Sequence, residues 1–445
     1  MAKKSKLALL GGPKAVTQDP GDLFTWPIIT KEDEDAVLEV LRRGGMSGTD
    51  VTVQFENEFA AWQGSKYALG FSSGTAAVHG ALYGCGVGLG DEIICPSITF
   101  WANCLQAFSL GATVVFADID PDTLCIDPKD IEHRITDRTK AITLVHYLGH
   151  PADMDPVMKV ARKHGLKVIE DVSHAQGGLY KGRKLGTIGD VGAMSLMSGK
   201  SLAIGEAGML VTDNREIYDR AIAFGHYERY RPDKIETEYL KPWAGLPLGG
   251  YKWRMHQLSS ALGRVQLKYY DRRCAEIRKA MNYFWNLLEG VPGVRAHRTP
   301  PRSRSNMAGW YEARGLYRPE ELGGLSVTRF CQAVRAEGCP ASSGANKALH
   351  THPVFNDADV YGHGKPTRIA NSDRDLRQPI GSLPVAEGIG ARVFGVPWFK
   401  HYRPEAIRQY ADAMRKVCEN YKDLLKDDPG NPADLGGWQF FRAAR

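Results

Sequence analysis

Residues 141–175 read AITLVHYLGHPADMDPVMKVARKHGLKVIEDVSHA. The run Ala141–Val145 has the length and apolar character of a buried strand, and Pro156–His164 has helical spacing. Lys167–Ile169 opens a second short run, which ends on the carboxylates Glu170 and Asp171, with His174 close behind. Strand, helix and strand in so short a span form a βαβ unit, whose crossover makes the two strands parallel.

The alternation extends outward. Apolar runs at Tyr67–Phe71, Glu92–Cys95 and Thr113–Phe116 are separated by helical stretches at Thr75–Tyr83, Asn103–Ser109 and Pro128–Arg134. The pattern from about residue 66 to 215 predicts an α/β fold with a mostly parallel sheet flanked by helices. Ligands in such folds sit at the carboxyl ends of the strands, so the informative residues should follow the apolar runs. Residues 216–253 are less regular. A long helical pattern starts near Arg254, with Leu258, Leu262, Val265 and Tyr269 and then Phe284, Leu287 and Leu288 on its apolar stripe. This helix is expected to bridge the large domain to a smaller C-terminal α+β domain. There, helices are expected near Ser326–Glu337 and over Pro404–Tyr421. The expected division is 1–270 for an entry arm and the large domain, 271–425 for the small domain, and 426–445 for a loosely held tail.

Composition narrows the function classes. The 445 residues are 43% apolar and 24% charged, ordinary for a globular protein. The net charge of +6, from 57 basic and 51 acidic residues spread along the chain, does not mark a nucleic-acid protein. It does suit ligands bearing phosphate or carboxylate. No apolar run is long enough for a membrane span or a signal peptide, so a cytoplasmic enzyme without membrane partners is expected. The eight cysteines stand singly, mostly in apolar segments, and no pair is spaced as C-x-x-C. Neither a disulfide framework nor a metal site is expected.

Three segments carry candidate chemistry. Ser72-Ser73-Gly74-Thr75 follows an apolar run and opens a helix, whose N-terminal N–H groups and dipole suit a phosphate; the alternative is a plain N-cap by either serine. Asp171 ends a strand and can reach a ligand in the crevice, with His174 nearby; the alternative is a strand-end cap. Lys200 lies in SLMSGKSLAIGEAG (195–208), where small residues on both sides let a flat cofactor approach and Ser195 can donate to a phosphate. Desolvation by such a cofactor would lower the amine's pKa and make it a nucleophile; the alternative is a solvated loop lysine. Between these segments, Phe100 or Trp101 in PSITFW can stack on a ring face or serve as core.

In this order the motifs resemble a known family. SSGTAAVHGAL, GDEIICPSITFWA, GATVVFADIDPDT, RTKAITLVHYLGHPADMD, VIEDVSHAQG and GKSLAIGEAGMLVTD are similar to the DegT/DnrJ/EryC1/StrS aminotransferases, over about Leu7 to Tyr421. The resemblance implies a fold-type I enzyme dependent on pyridoxal 5′-phosphate, with pyridoxamine 5′-phosphate as intermediate. It also implies roles. Lys200 would hold the cofactor as a Schiff base and move the proton. Asp171 would bind the ring nitrogen, His174 would lie beside the ring hydroxyl, and Phe100 would stack on the ring. Gly74, Thr75 and Ser195 would hold the phosphate. Members are homodimers with shared sites, and here Gly250-Tyr251-Lys252-Trp253-Arg254 would be the loop reaching the partner's site. Lys252 stands where relatives often have Asn, so an ammonium would make that phosphate contact.

LALLGGP, GKSLAIGEAG and GLSVTRFCQAVRAEGCPASSG followed by LHTHPVF resemble the branch of amino-cyclitol transaminases and aminohydroxybenzoate synthase. The expected reaction moves an amino group from glutamate or glutamine to a keto-cyclitol or keto-sugar. The rival expectations are a lyase or dehydratase on the same fold, aminohydroxybenzoate synthase among them, and a cofactor-binding regulator. Lys200 disfavours the dehydratases that carry His in its place.

Overall fold

The structure, a computed structural model, describes residues 6–433 and 435–438. The expectations for residues 1–5, 434 and 439–445 lie outside the described residues. The strands are β1 (Tyr67–Phe71), β2 (Glu92–Pro96), β3 (Thr113–Ala117), β4 (Thr139–Val145), β5 (Lys167–Asp171), β6 (Leu179–Tyr180), β7 (Arg183–Lys184), β8 (Val191–Ser195), β9 (Gly208–Thr212), β10 (Val294–Ala296), β11 (Arg314–Tyr317), β12 (Ser342–Ser343) and β13 (Val393–Gly395). The helices are α1 (Lys31–Arg42), α2 (Asp50–Gln63), α3 (Gly74–Gly84), α4 (Pro128–Arg134), α5 (Met154–His164), α6 (Arg215–Gly225), α7 (Gln257–Leu287), α8 (Val327–Ala336), α9 (Pro384–Gly388), α10 (Pro404–Glu419) and α11 (Lys422–Leu425).

Seven strands form the main sheet in the order β1-β9-β8-β5-β4-β2-β3. Only β9 runs against its neighbours. Every residue of β2, β3 and β9 is buried, so both faces of the sheet are covered. This is why these strands read as unbroken apolar runs rather than alternating ones. The expected mostly parallel α/β sheet is therefore present, with β4 and β5 as a parallel pair joined through α5.

Two local expectations give way. Asn103–Ser109 is not an α-helix but falls within two 3₁₀ turns, Trp101–Asn103 and Leu105–Leu110. Cys104 between them leaves helical geometry at φ −144°. The irregular stretch from 216 begins with α6, capped by Asn214, whose side chain accepts from Ile217 N–H at 3.1 Å.

A second sheet, β10-β11-β13-β12, builds a second core with α8 and α10. The 31-residue α7 joins the two cores. Its Leu267, Tyr270 and Cys274 belong to the first, and Ile277, Met281, Phe284 and Trp285 to the second. The entry arm buries Leu7 and Leu23 in the second core. Conversely, the excursion between β12 and β13 returns Leu349, Phe355, Leu383 and Ala386 to the first core. It also closes the free edge of β3. The Gln378 side chain accepts from Phe116 N–H at 2.8 Å and donates to Phe116 C=O at 2.7 Å, and the fully buried Arg368 donates from Nε to Val114 C=O at 2.9 Å.

No helix among the described residues is long and apolar enough to cross a membrane. All eight cysteines are buried and unpaired, and no group of His, Cys, Asp and Glu among the described residues is arranged to hold a metal ion.

Candidate active site

The carboxyl ends of the central strands open into a cavity of about 1230 Å³. Gly74, Thr75, Phe100, Asp171, His174, Ser195 and Lys200 all line it, although they are spread over more than a hundred residues of sequence. At one corner the chain leaves β1 and turns into α3. Ser73 caps the helix, its Oγ accepting from Ala76 N–H at 3.1 Å. The first N–H groups of a helix have no intrahelical acceptor, so those of Gly74 and Thr75 are offered to the cavity. Gly74 is packed on the end of β8: a Cβ there would lie 2.5 Å from Ser195 Cβ. The missing side chain is what lets the helix N-terminus and the Ser195 hydroxyl share one corner, a cradle suited to an anion.

The two carboxylates ending β5 project to opposite faces of the sheet and do different work. Glu170 is walled in. Its oxygens accept from Gly186, Ile188 and Gly189 N–H at 2.8, 2.7 and 2.6 Å and lie 3.0 Å from His146 Nε2. Burial pushes its pKa up, but His146 and these N–H groups outweigh that and hold it below the ordinary value. Asp171 faces the cavity. Its Oδ1 accepts from Ser173 N–H at 2.9 Å, while Ser173 Oγ accepts from Ser195 N–H at 2.9 Å, so one short turn fixes both Asp171 and Ser195. Burial raises the Asp171 pKa, and Ser173 and the Lys200 charge only partly oppose it.

His174 accepts at Nδ1 from Leu148 N–H at 3.2 Å, which places its proton on Nε2. Burial, with Lys200 and Arg314 nearby, holds its pKa well below the ordinary value, so the ring is neutral and Nε2–H is a donor. Leu148 sits at φ 54°, an uncommon backbone state for a branched residue.

Lys200 follows a tight turn, its N–H bonded to Met197 C=O at 2.9 Å. Its carbonyl accepts from Trp26 Nε1 of the entry arm at 3.1 Å. Gln176, Ser201 and Tyr270 lock the surrounding backbone. Gln176 Nε2 donates to Ser195 C=O at 2.7 Å, Ser201 Oγ donates to Gln176 Oε1 at 2.8 Å, and Tyr270 Oη donates to Gln176 C=O at 2.9 Å. Burial lowers the Lys200 pKa to about 8, against the opposing charges of Asp171 and Glu312.

Sequence reasoning missed Tyr311, Glu312 and Arg314, which line the same cavity. The Lys200 ammonium sits 3.9 Å from the Tyr311 ring centroid, and Tyr311 stacks on His174 with centroids 4.5 Å apart. Ala308, Trp310 and Glu312 all take positive φ, so the loop carrying Tyr311 is strained. Nothing in its apolar spacing signals the contact. The tail was also missed. Leu435, Gly436, Gly437 and Trp438 line the cavity too, rather than hanging loose. Lys252 stands apart from it, with its Nζ 5.9 Å from the Tyr227 ring centroid.

The residues present fit a flat, phosphate-bearing aldehyde. There is an anion cradle without room for a Cβ, a carboxylate and a neutral histidine donor on the floor, and a depressed-pKa amine above. A family model for the DegT/DnrJ/EryC1/StrS aminotransferase family matches residues 27–415. The chain belongs to this family. Among similar proteins, GDP-perosamine synthase from Escherichia coli O157:H7 is 36% identical over 402 residues, covering 90% of this chain and 98% of that protein. L-glutamine:scyllo-inosose aminotransferase from Streptomyces griseus is 31% identical over 445 residues, covering 95% and 100%. A solved aminotransferase from Psychrobacter cryohalolentis superposes with a TM-score of 0.77 at 30% identity, covering 90% of this chain and all of that one. This member of the DegT/DnrJ/EryC1/StrS family is an aminotransferase with the fold of these relatives.

Proposed function

We propose that the enzyme uses pyridoxal phosphate to move an amino group from glutamine or glutamate to a keto-cyclitol or keto-sugar, working as a homodimer. The observation that carries this reading is the convergence of Lys200, Asp171, His174 and the Gly74–Thr75–Ser195 cradle on one cavity. The scyllo-inosose and perosamine relatives supply the acceptor class, and the glutamine in the first relative's name supplies the donor.

When bound, pyridoxal phosphate supplies an aldehyde for an amine and an electron sink for the carbon that loses its proton. The chain's own residues do the rest. The Gly74 and Thr75 N–H groups and the Ser195 hydroxyl hold the phosphate. Asp171 keeps a proton on the ring nitrogen, and a cation there offsets the burial that raises its pKa. His174 Nε2–H donates to the ring oxygen, and Phe100 covers the ring. The Lys200 amine, partly unprotonated near neutrality, is the nucleophile and later carries the proton as general base and acid. Lys252 and Arg254 serve the second copy's site, where their charges suit phosphate and donor carboxylate.

The test is a half-reaction. Protein reconstituted with pyridoxal phosphate and given L-glutamine should lose its visible absorbance and release the matching 2-oxo acid, and scyllo-inosose should restore the spectrum. Retention of the original spectrum with both L-glutamine and L-glutamate would refute the reading. Elimination of water from the acceptor with no 2-oxo acid formed would favour a lyase.

A further inference from the structure

From Leu435, Gly436, Gly437 and Trp438 in the C-terminal region, we infer a specificity wall of the acceptor subsite that recognises the ring of a keto-cyclitol or keto-sugar. The inference rests on the aminotransferase reading above and extends it to residues outside the family match, which stops at 415. A segment beyond the residues that the family model matches is suited to selecting the substrate rather than to the common chemistry.

The segment is fastened at two places. At its root, Asp428 accepts from Ser326 N–H at 2.7 Å and from the Ser326 hydroxyl at 2.5 Å. Asn431 Oδ1 accepts from Thr328 N–H at 3.2 Å and its hydroxyl at 3.0 Å. Both contacts clasp the start of α8. Further along, Gly437 bridges Asn346 in parallel register, on the loop that leaves β12. Gly436 fits there only as glycine: its φ is +87°, and a Cβ would lie 2.7 Å from Ala345 O. These contacts hold Leu435–Trp438 on the cavity that also contains Lys200, Glu312 and Arg314.

Trp438 is the recognising group. Its ring meets His352 edge-on with centroids 4.5 Å apart, and Lys347 Nζ lies 4.2 Å from the ring centroid. These contacts fix the indole rather than leave it to wave in solvent. Its Nε1 is buried and has no hydrogen-bond partner among the described residues. Buried donors are normally paired, so this N–H is an unspent donor that a small turn of the half-buried indole would bring to a ligand in the cavity it lines. A polyhydroxylated ring offers what an indole takes: a C–H face for its apolar body and a hydroxyl oxygen for its N–H.

The experiment uses the full reconstituted chain with Trp438→Ala, Trp438→Phe and Gly436→Val. The last displaces the segment without touching the indole. Donor half-reaction rates with L-glutamine are read first. Acceptor kcat/KM is then measured with scyllo-inosose and with GDP-4-keto-6-deoxy-D-mannose as probes. In Trp438→Ala and Gly436→Val, kcat/KM for the acceptor that wild type uses should fall about tenfold or more, chiefly through KM. The donor half-reaction should be unchanged. Acceptor binding should alter tryptophan fluorescence in wild type, and this change should shrink in Trp438→Phe, which keeps Trp101 and Trp398 on the same cavity. An unchanged acceptor kcat/KM in both wall variants overturns the inference, as does an equal loss in the donor half-reaction. So does failure of wild type to bind either probe while glutamine still reacts. Failure of glutamine and glutamate to react in wild type would instead sink the aminotransferase reading beneath it.

Discussion

The amine of Lys200 should combine with pyridoxal phosphate at a pH where an ordinary lysine is inert. Burial brings its pKa to about 8, from 10.5 for a free side chain. At pH 7 an amine titrating at 8 is roughly 9% uncharged, whereas one at 10.5 is roughly 0.03% uncharged, an advantage of about 300-fold in the reactive form. Two carboxylates, Asp171 and Glu312, work against the shift by favouring the ammonium. Glu312→Gln should therefore move the titration to still lower pH and quicken reconstitution at pH 7. The assay mixes apoprotein with pyridoxal phosphate in a stopped-flow instrument and follows visible absorbance between pH 6 and 10. The rate should rise with pH and level off above about 8 in wild type, and at lower pH in Glu312→Gln. An inflection near 10.5, or a shift to higher pH in the variant, would refute the claim that desolvation sets the reactivity of this amine.

Gly74→Ala should leave the fold intact but weaken cofactor binding about tenfold or more, because the added methyl meets Ser195 at the cradle; equilibrium titration of apoprotein checks it. Glu170→Ala strands three buried N–H groups and His146 and should cost roughly 3–5 kcal/mol in denaturant unfolding. Because the Glu170 pKa is lowered in the fold, its contribution is present above its ordinary value of 4.5 and is lost as pH falls through the lowered one. Lys400 is buried with its Nζ against Trp398, and burial brings its pKa to about 5. Between pH 5 and 10.5 the unfolded chain binds a proton that the fold refuses, so Lys400→Met should stabilise at pH 7 by on the order of 3–5 kcal/mol. That gain should shrink as pH rises toward 10.5, and thermal melts at pH 7 and 10 test the sign.

The sheet was legible because its strands are buried on both faces: runs such as Ile93–Cys95 and Val114–Phe116 are apolar throughout and bounded by turns. Gly74, Asp171 and Ser195 were legible because the site lies where β1, β5 and β8 end, so each lies at or just past the end of a strand. What stayed hidden came from contacts without local signature. Tyr311 reaches His174 through a loop whose positive φ angles no apolar period announces. The tail lacks helical spacing, yet it is fastened by Asp428 and Asn431 to residues about a hundred positions earlier. The tautomer of His174 depends on Leu148 N–H, a donor that the backbone conformation alone supplies.

The sealing of β3 by Gln378 and Arg368 bears on how the protein survives before it is fully folded. A bare outer strand made of Thr113-Val114-Val115-Phe116-Ala117 is a template for fibrous self-association. Here the plug is made some 260 residues after the strand it protects. While the chain is being synthesised, that apolar ribbon waits for its cover, and heat or denaturant that loosens the 366–378 stretch would lay it bare again. Aggregation should therefore set in ahead of global melting, and Gln378→Ala should bring its onset to lower temperature.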